Sequence, residues 1–323
     1  MMYNAATSGR CLWIVAFALN ASAILGQSYP IKPIRIITSE VGGPADMLSR
    51  VIAERVTIRL GQQMIVDNRA GGGGIAGPIV AKASPDGYTL FVAATPLWIL
   101  PLLRANVGYD PIRDFSPISQ ALSLPNILVV QPSLSVTSVK DLIALAKARP
   151  GELDYGSSAI GTTSHLAAEL FKSMAGVNMV RISYKGGGPA MIGIIAGEVQ
   201  VMFPTAEAAV PHIQSGKLKA LGITTAEPSG LLPNMPTIAA SGLPGYESVQ
   251  IIGVFAPAST PATIINRLHQ EIVGALKAPD VNTLFQKSGA EVVGSSPEQL
   301  TAKIRSEMAR MSKVIHEAGI REE

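Results

Sequence analysis

Cysteine is almost absent from the 323-residue sequence: Cys11 is the single one, so no disulfide framework can be built from this chain. Aromatic residues make up 5% and charged residues 15%, and no long acidic or basic tract occurs. With 26 Lys and Arg against 23 Asp and Glu, the formal net charge of +3 is a slight imbalance. That is not a nucleic-acid footprint, and neither DNA nor RNA is an expected partner. No apolar run reaches the roughly 18 to 20 residues needed to span a bilayer. What is present is 47% apolar residues with 31 Gly and 23 Pro, the make-up of a compact chain with many short connections. Disorder and a fibrous structure are excluded, and the length fills two domains of roughly 100–200 residues each.

The first stretch has no acid and one base, Arg10, ahead of an apolar run over residues 11–19 and then Ala21-Ser22-Ala23. This is the small-x-small pattern a signal peptidase cuts. Residues 1–23 are therefore expected to be a cleaved signal peptide, the secreted chain to begin near Ile24, and the product to reside in the periplasm. Cys11 would leave with the leader, which suits a disulfide-forming compartment.

From residue 34 the pattern reads strand (34–38), helix (46–60), strand (64–67), helix (75–83) and strand (88–94). The strands are short apolar runs without strict alternation, as in a parallel sheet covered on both faces. In the first helix Leu48, Ile52 and Val56 recur every four residues, with Arg50, Glu54 and Arg55 opposite. Pro96, Pro101, Pro111, Pro117 and Pro125 then predict a loop-rich passage. Beyond it come strands at 127–130, 154–156, 179–183, 199–203 and 219–224, with helices at 139–147, from 164, and at 189–197. A second Pro- and Gly-rich passage (228–245) precedes a strand (249–255) and helices at 261–276, 281–287 and 297–318 that return to the first domain. The expected division is a lobe over 28–122 plus 248–323 and another over 123–247. Each is a mostly parallel sheet flanked by helices, and the cleft between them is where a small ligand would bind.

Three loops join a strand to a helix with the means to hold an anion. Gly42-Gly43-Pro44-Ala45-Asp46 opens the first helix, where free amides and the helix dipole favour a carboxylate or phosphate and Asp46 is placed to cap. Asn68-Arg69-Ala70 with Gly71 to Gly74 forms the second. Gly72, Gly74 and Gly77 satisfy G-x-G-x-x-G, but no acid stands at the end of the next strand and the dinucleotide reading fails its context. The third, Tyr155 to Ser164, is rich in hydroxyls and carries either a ligand's oxygens or an ordinary helix cap.

Catalytic machinery is hard to assemble. Ile160 occupies the last glycine of a G-x-S-x-G elbow, and Ile320 stands where the second His of a zinc-protease motif belongs after His316-Glu317. No catalytic residue, metal site or cofactor is expected. Asp67, Asp86 and Asp110 read as solvated turn formers. A secreted hydrolase using Ser157 or Ser164 with His165 is a rival that lacks an orienting acid.

In these loops the sequence resembles the Bug family, the periplasmic solute receptors of tripartite tricarboxylate transporters. The likeness runs from Tyr29-Pro30 through Gly42-Gly43 with Asp46, Asn68-Arg69, Pro85-Asp86-Gly87-Tyr88, Tyr155-Gly156-Ser157, Tyr184-Lys185-Gly186, Met202-Phe203, Gly216-Lys217-Leu218 and Pro236-Thr237, in order over nearly the whole chain. The resemblance implies a two-lobed type II periplasmic binding protein that captures a small organic anion for the permease subunits of the transporter, and a monomer is expected. It maps ligand contacts onto Ser39, Glu40, Gly42, Gly43, Asp46, Gly73, Gly74, Ile75 and Thr95, faced by Ser157, Thr162, Thr163 and Ser164. Two departures stand out: Ser39-Glu40-Val41 replaces an aromatic residue and a proline, and Pro204 follows Met202-Phe203 where Asp is usual. Glu40 would weaken anion binding unless it points out, pairs with a ligand ammonium or is protonated, and selection of a ligand carrying a cationic group is the hypothesis drawn from it. A sensor subunit would use the same closure and differ only in its partner.

Overall fold

The computed structural model describes residues 29–39, 41–69 and 73–321. The expected leader, Glu40 and residues 70–72 lie outside these. The first half of the chain forms β1 (Ile34–Thr38), α1 (Pro44–Leu60), β2 (Met64–Asn68), α2 (Gly73–Ala81) and β3 (Thr89–Ala94), within two residues of the sequence reading. β1 pairs in parallel with β2 and β3 on its two sides, and its Ile34, Ile36, Ile37 and Thr38 are fully buried. Asp67 is a strand residue rather than a turn former: Arg35 Nε donates to it at 2.7 Å and Arg69 Nη2 at 2.9 Å.

The passage read as loop contains two regular elements. Helix α3 (Pro96–Leu103) has Pro96 in its first turn and Pro101 inside. Pro101 has no N–H for the carbonyl of Leu97, four residues back. The Tyr109 hydroxyl donates to that carbonyl at 2.9 Å, so the helix survives its proline. Strand β4 (Phe115–Pro125) carries Pro117 opposite Phe255, at an irregularity in the ladder, the kind of place where a strand tolerates proline.

The second lobe follows as β5 (Ile127–Val130), α4 (Val139–Ala148), β6 (Asp154–Ser157), α5 (Thr163–Ala175), β7 (Val180–Ser183), α6 (Gly187–Ala196), β8 (Val201–Met202), α7 (Ala206–Gln214) and β9 (Lys219–Ile223). The chain then returns through β10 (Val249–Pro257), α8 (Ala262–Leu276), α9 (Pro279–Lys287), β11 (Glu291–Val292) and α10 (Pro297–Glu317).

Both sheets are mixed, which corrects the expectation of mostly parallel ones. The first has the order β11-β4-β10-β3-β1-β2 and the second β7-β6-β8-β5-β9. Parallel pairing is confined to β2–β1–β3 and β7–β6–β8, while β10 runs antiparallel to β3 and β4, and β5 to β8 and β9. The cause is the double crossing. β4 leaves the first lobe beside β10, which re-enters it, so the two run in opposite directions, and β5 and β9 do the same in the second lobe.

One face of the first sheet packs on α1 and α8 through Leu48, Ile52, Leu268 and Ile272. The other packs on α3 and α10 through Trp98, Phe255, Leu300 and Ile304, and this core continues into the second lobe through Tyr155, Leu166, Phe171 and Tyr246. A separate apolar layer, with Ile127, Ile194 and Val199, covers the far face of the second sheet. The lobes are thus joined by packed side chains along α10 as well as by the two crossings.

Candidate functional site

Strand direction collects the loops of interest at one edge of each sheet. β1, β2 and β3 end at or beside Ser39, Asn68 and Thr95, and β6 ends at Ser157. Thr95 is tied to the returning strand: its N–H donates to the Ile251 carbonyl at 3.0 Å, and the Ile251 N–H to Thr95 Oγ1 at 2.9 Å.

Gly42 has φ of +84°, a left-handed conformation that favours glycine. α1 starts at Gly43 with Pro44 behind it and no side-chain cap, leaving the amides of Ala45 and Asp46 without intrahelical acceptors. Asp46 does not cap them. Its buried carboxylate accepts the Gly42 N–H at 2.9 Å, Arg50 Nε at 3.1 Å and Asn68 Nδ2 at 2.9 Å. Burial opposes its ionisation, yet the Gly42 amide, Arg50 and Asn68 together hold the carboxyl below its ordinary range. Asn68 also donates to the Ser39 carbonyl at 3.1 Å, so Asp46 and Asn68 brace the first loop against the second. Ser39 lines a small cavity of about 50 Å³ with Pro96 and Leu97.

Gly73 and Gly74 begin α2, and Ile75 beside them is 53% exposed. A Cβ on Gly74 would sit 3.4 Å from Leu100, and one on Gly77 only 2.6 Å from the Tyr109 ring. Gly77, which completed the nucleotide-like spacing, is there so that Tyr109 can pack.

In the second lobe Ser157 is fully buried, and its Oγ accepts from Arg181 Nε at 2.8 Å. Arg181 Nη2 donates further to the Ser158 carbonyl at 2.6 Å and to Ser183 Oγ at 3.2 Å. Ser158, Thr162 and Ser164 form a hydroxyl cluster with separations of 3.1 to 3.4 Å. α5 starts after Thr162 with no side-chain cap, so the amides around Thr163 and Ser164 are free of intrahelical partners. His165 Nδ1 accepts the Gly161 N–H at 3.2 Å. Burial, helped by the nearby Arg181, pushes the imidazole down to about 4, so it is neutral near pH 7. It serves as a loop brace, and no described hydrogen bond joins it to Ser157 or Ser164.

Helix α3 brings the lobes together. A Cβ on Gly161 would lie 2.8 Å from Leu103, and Leu100 and Leu103 share one helix face. The second glycine loop and the hydroxyl loop therefore meet the same side of α3. A cavity of about 470 Å³ lies elsewhere, between the C-terminal turns of α3 and α10, lined by Leu103, Arg104, Ser312 and His316. None of the expected contact residues lines it.

The sequence reading missed Arg181, which stands on a short, half-exposed edge strand and carries no motif. It also missed Asn126 and Thr225 at the crossings. Asn126 Oδ1 and Thr225 Oγ1 are buried polar atoms with no hydrogen bond among the described residues.

Two α/β lobes, each with its own mixed sheet, are joined by a double crossing, and α1 in one and α5 in the other both start without a side-chain cap, the architecture of a two-lobed solute-binding protein. No described helix is long and apolar enough to cross a membrane. A family model described as "Tripartite tricarboxylate transporter family receptor" matches residues 48–320, and the chain belongs to that family of periplasmic receptors. It is 36% identical over 309 residues to protein BugT of Bordetella pertussis, covering 94% of this chain and 95% of that one. Among solved structures it is similar to R. palustris Rpa4515 with adipate (38% identity, TM-score 0.72, 91% of this chain and 99% of that one). It is also similar to MatC of Rhodopseudomonas palustris with bound malate (27% identity, TM-score 0.68, 89% and 100%).

Proposed function

We propose that this chain takes up a small organic carboxylate between its lobes and presents it to the permease subunits of a tripartite tricarboxylate transporter, as a monomer and without catalysis. The supporting observation is a pair of uncapped helix starts, α1 in one lobe and α5 in the other, accompanied by the hydroxyls of Thr162, Thr163 and Ser164. Amides at a helix start and the dipole behind them stabilise a carboxylate. Arg50, Arg69 and Arg181 near these loops are engaged in bracing, which favours binding by amides and hydroxyls. The crossings at Asn126 and at 224–248 support lobes over 28–122 with 248–323 and over 123–247. Residues 1–23 are taken as the leader that sends the chain to the periplasm.

The similar proteins were solved with adipate and malate, so dicarboxylates head the set of probes. The test is a thermal-shift series on protein unfolded and refolded to strip any bound solute, with dicarboxylates, acidic amino acids and aromatic acids. A ligand at about 100 times its Kd stabilises the folded state by roughly 2.7 kcal/mol. At least one acid is expected to raise Tm by several degrees while its amide does not. If none does, the receptor reading fails.

A further inference from the structure

Two buried polar atoms without partners among the described residues lie where the chain crosses between the sheets. Asn126, 1% exposed, stands between β4 and β5, and Thr225, 8% exposed, lies just beyond β9. The Asn126 N–H donates to Thr224 Oγ1 at 2.8 Å and its carbonyl accepts the Thr224 N–H at 3.0 Å. Its Nδ2 donates to the Phe203 carbonyl, which fixes the side-chain amide, since the reversed orientation would set oxygen against oxygen. Oδ1 is left as a pure acceptor, and neither it nor Thr225 Oγ1 is satisfied among the described residues. Buried polar groups without partners are rare in native proteins.

The strand register shows what these atoms are near. Asn126 bridges to Thr205 beyond the end of β8, and β6 lies on the other side of β8 with Gly156 opposite Met202. Asn126 is therefore at the same edge as Ser157 and the hydroxyl loop. It directly follows Pro125, which pairs with Val249, two residues from the Ile251 that holds Thr95. This stretch thus links the strand that holds Thr95 to the sheet edge that carries Ser157.

We propose that Asn126 and Thr225 form the floor of the ligand cleft and select carboxylates that also carry a hydroxyl or an ammonium group. This rests on the receptor reading. Asn126 Oδ1 can only accept, so the matching ligand group must donate, while the Thr225 hydroxyl serves either role. A plain carboxylate would leave both atoms unpaired on closure, and a site built to bond a substrate donor rejects the analogue lacking it.

Isothermal titration with matched sets, succinate against malate and aspartate, and phenylpropanoate against phenyllactate and phenylalanine, tests this. The parent is expected to favour the donor-bearing members of whichever set it binds by about tenfold or more. Thr225→Val should reduce that preference several-fold while leaving the Tm measured without added ligand unchanged or higher, because no described residue bonds the lost hydroxyl. Thr225→Ser should retain the preference. Equal binding within the sets, binding only of acids outside them, or a preference that survives Thr225→Val, would overturn the assignment and leave the receptor reading standing. Failure of every carboxylate to bind would overturn both.

Discussion

Glu307→Gln is expected to raise folding stability by about 3 kcal/mol at pH 8 and by less than about 1 kcal/mol at pH 5. Glu307 is buried on α10, where Trp98 Nε1 of α3 donates to it at 3.0 Å. Burial pushes its carboxyl up to about 7, against the Trp98 bond and the charges of Arg310 and Lys303 and with that of Glu247. An unfolded glutamate ionises near 4.5. Between those values the unfolded state gives up its proton first, so rising pH favours unfolding by about 1.4 kcal/mol per pH unit until the folded group also ionises. Glutamine keeps an oxygen for Trp98 and cannot ionise. Lys303 and Arg310 retain Glu247, at 2.5 and 3.9 Å.

His165 works in the opposite sense. Its folded value of about 4 lies below the ordinary 6.5, so below pH 6.5 the unfolded state takes up a proton first and stability falls toward pH 4. In the parent these two contributions offset one another between about pH 4.5 and 6.5. In Glu307→Gln the His165 slope is left uncompensated, and stability should climb more steeply with pH than in the parent. Denaturant unfolding of both proteins at pH 5 and 8 measures this, and a variant that gains nothing at pH 8 contradicts it.

Gly77→Ala should destabilise the fold by about 2 kcal/mol. Alanine in a helix interior is favoured over glycine by about 1 kcal/mol, so backbone propensity alone would stabilise the variant. The new Cβ would lie 2.6 and 2.7 Å from two carbons of the Tyr109 ring. That ring is buried, packs edge-on to Phe115 at 5.8 Å, and its hydroxyl satisfies the Leu97 carbonyl freed by Pro101. It cannot yield without giving up that bond. Overpacking of about 1–3 kcal/mol and a strained or broken buried hydrogen bond of about 1–3 kcal/mol outweigh the propensity gain. A denaturation midpoint equal to or above the parent's would show that the ring has room to move.

These two sites also show where the sequence was readable. β1, α1 and β2 follow from local pattern because every residue of the core face repeats at the period of its element, as Leu48, Ile52 and Val56 do. α3 and β4 were hidden because their prolines argue for loop, and what rescues each is remote in sequence: Tyr109 for the carbonyl of Leu97, and the ladder irregularity opposite Phe255 for Pro117. The mixed sheets were hidden for a related reason, since the direction of β10 and β5 is set by the double crossing and not by their composition. In the site, the three strand-to-helix loops were legible from glycines and hydroxyls. The bracing was not: Asp46 reads as a cap but binds Gly42, Arg50 and Asn68, and Arg181 has no sequence signal for its hold on Ser157. Asn126 and Thr225 matter through position at a crossing, which only the assembled sheets reveal.

Amide hydrogen exchange with and without a carboxylate that raises Tm tests the two-lobed grip most directly. The amides of Ala45 and Asp46 in one lobe and of Thr163 to His165 in the other should slow together on binding, with little change on the outer face of α6. Protection confined to one lobe, or centred on the cavity between α3 and α10, would contradict capture between opposed helix starts.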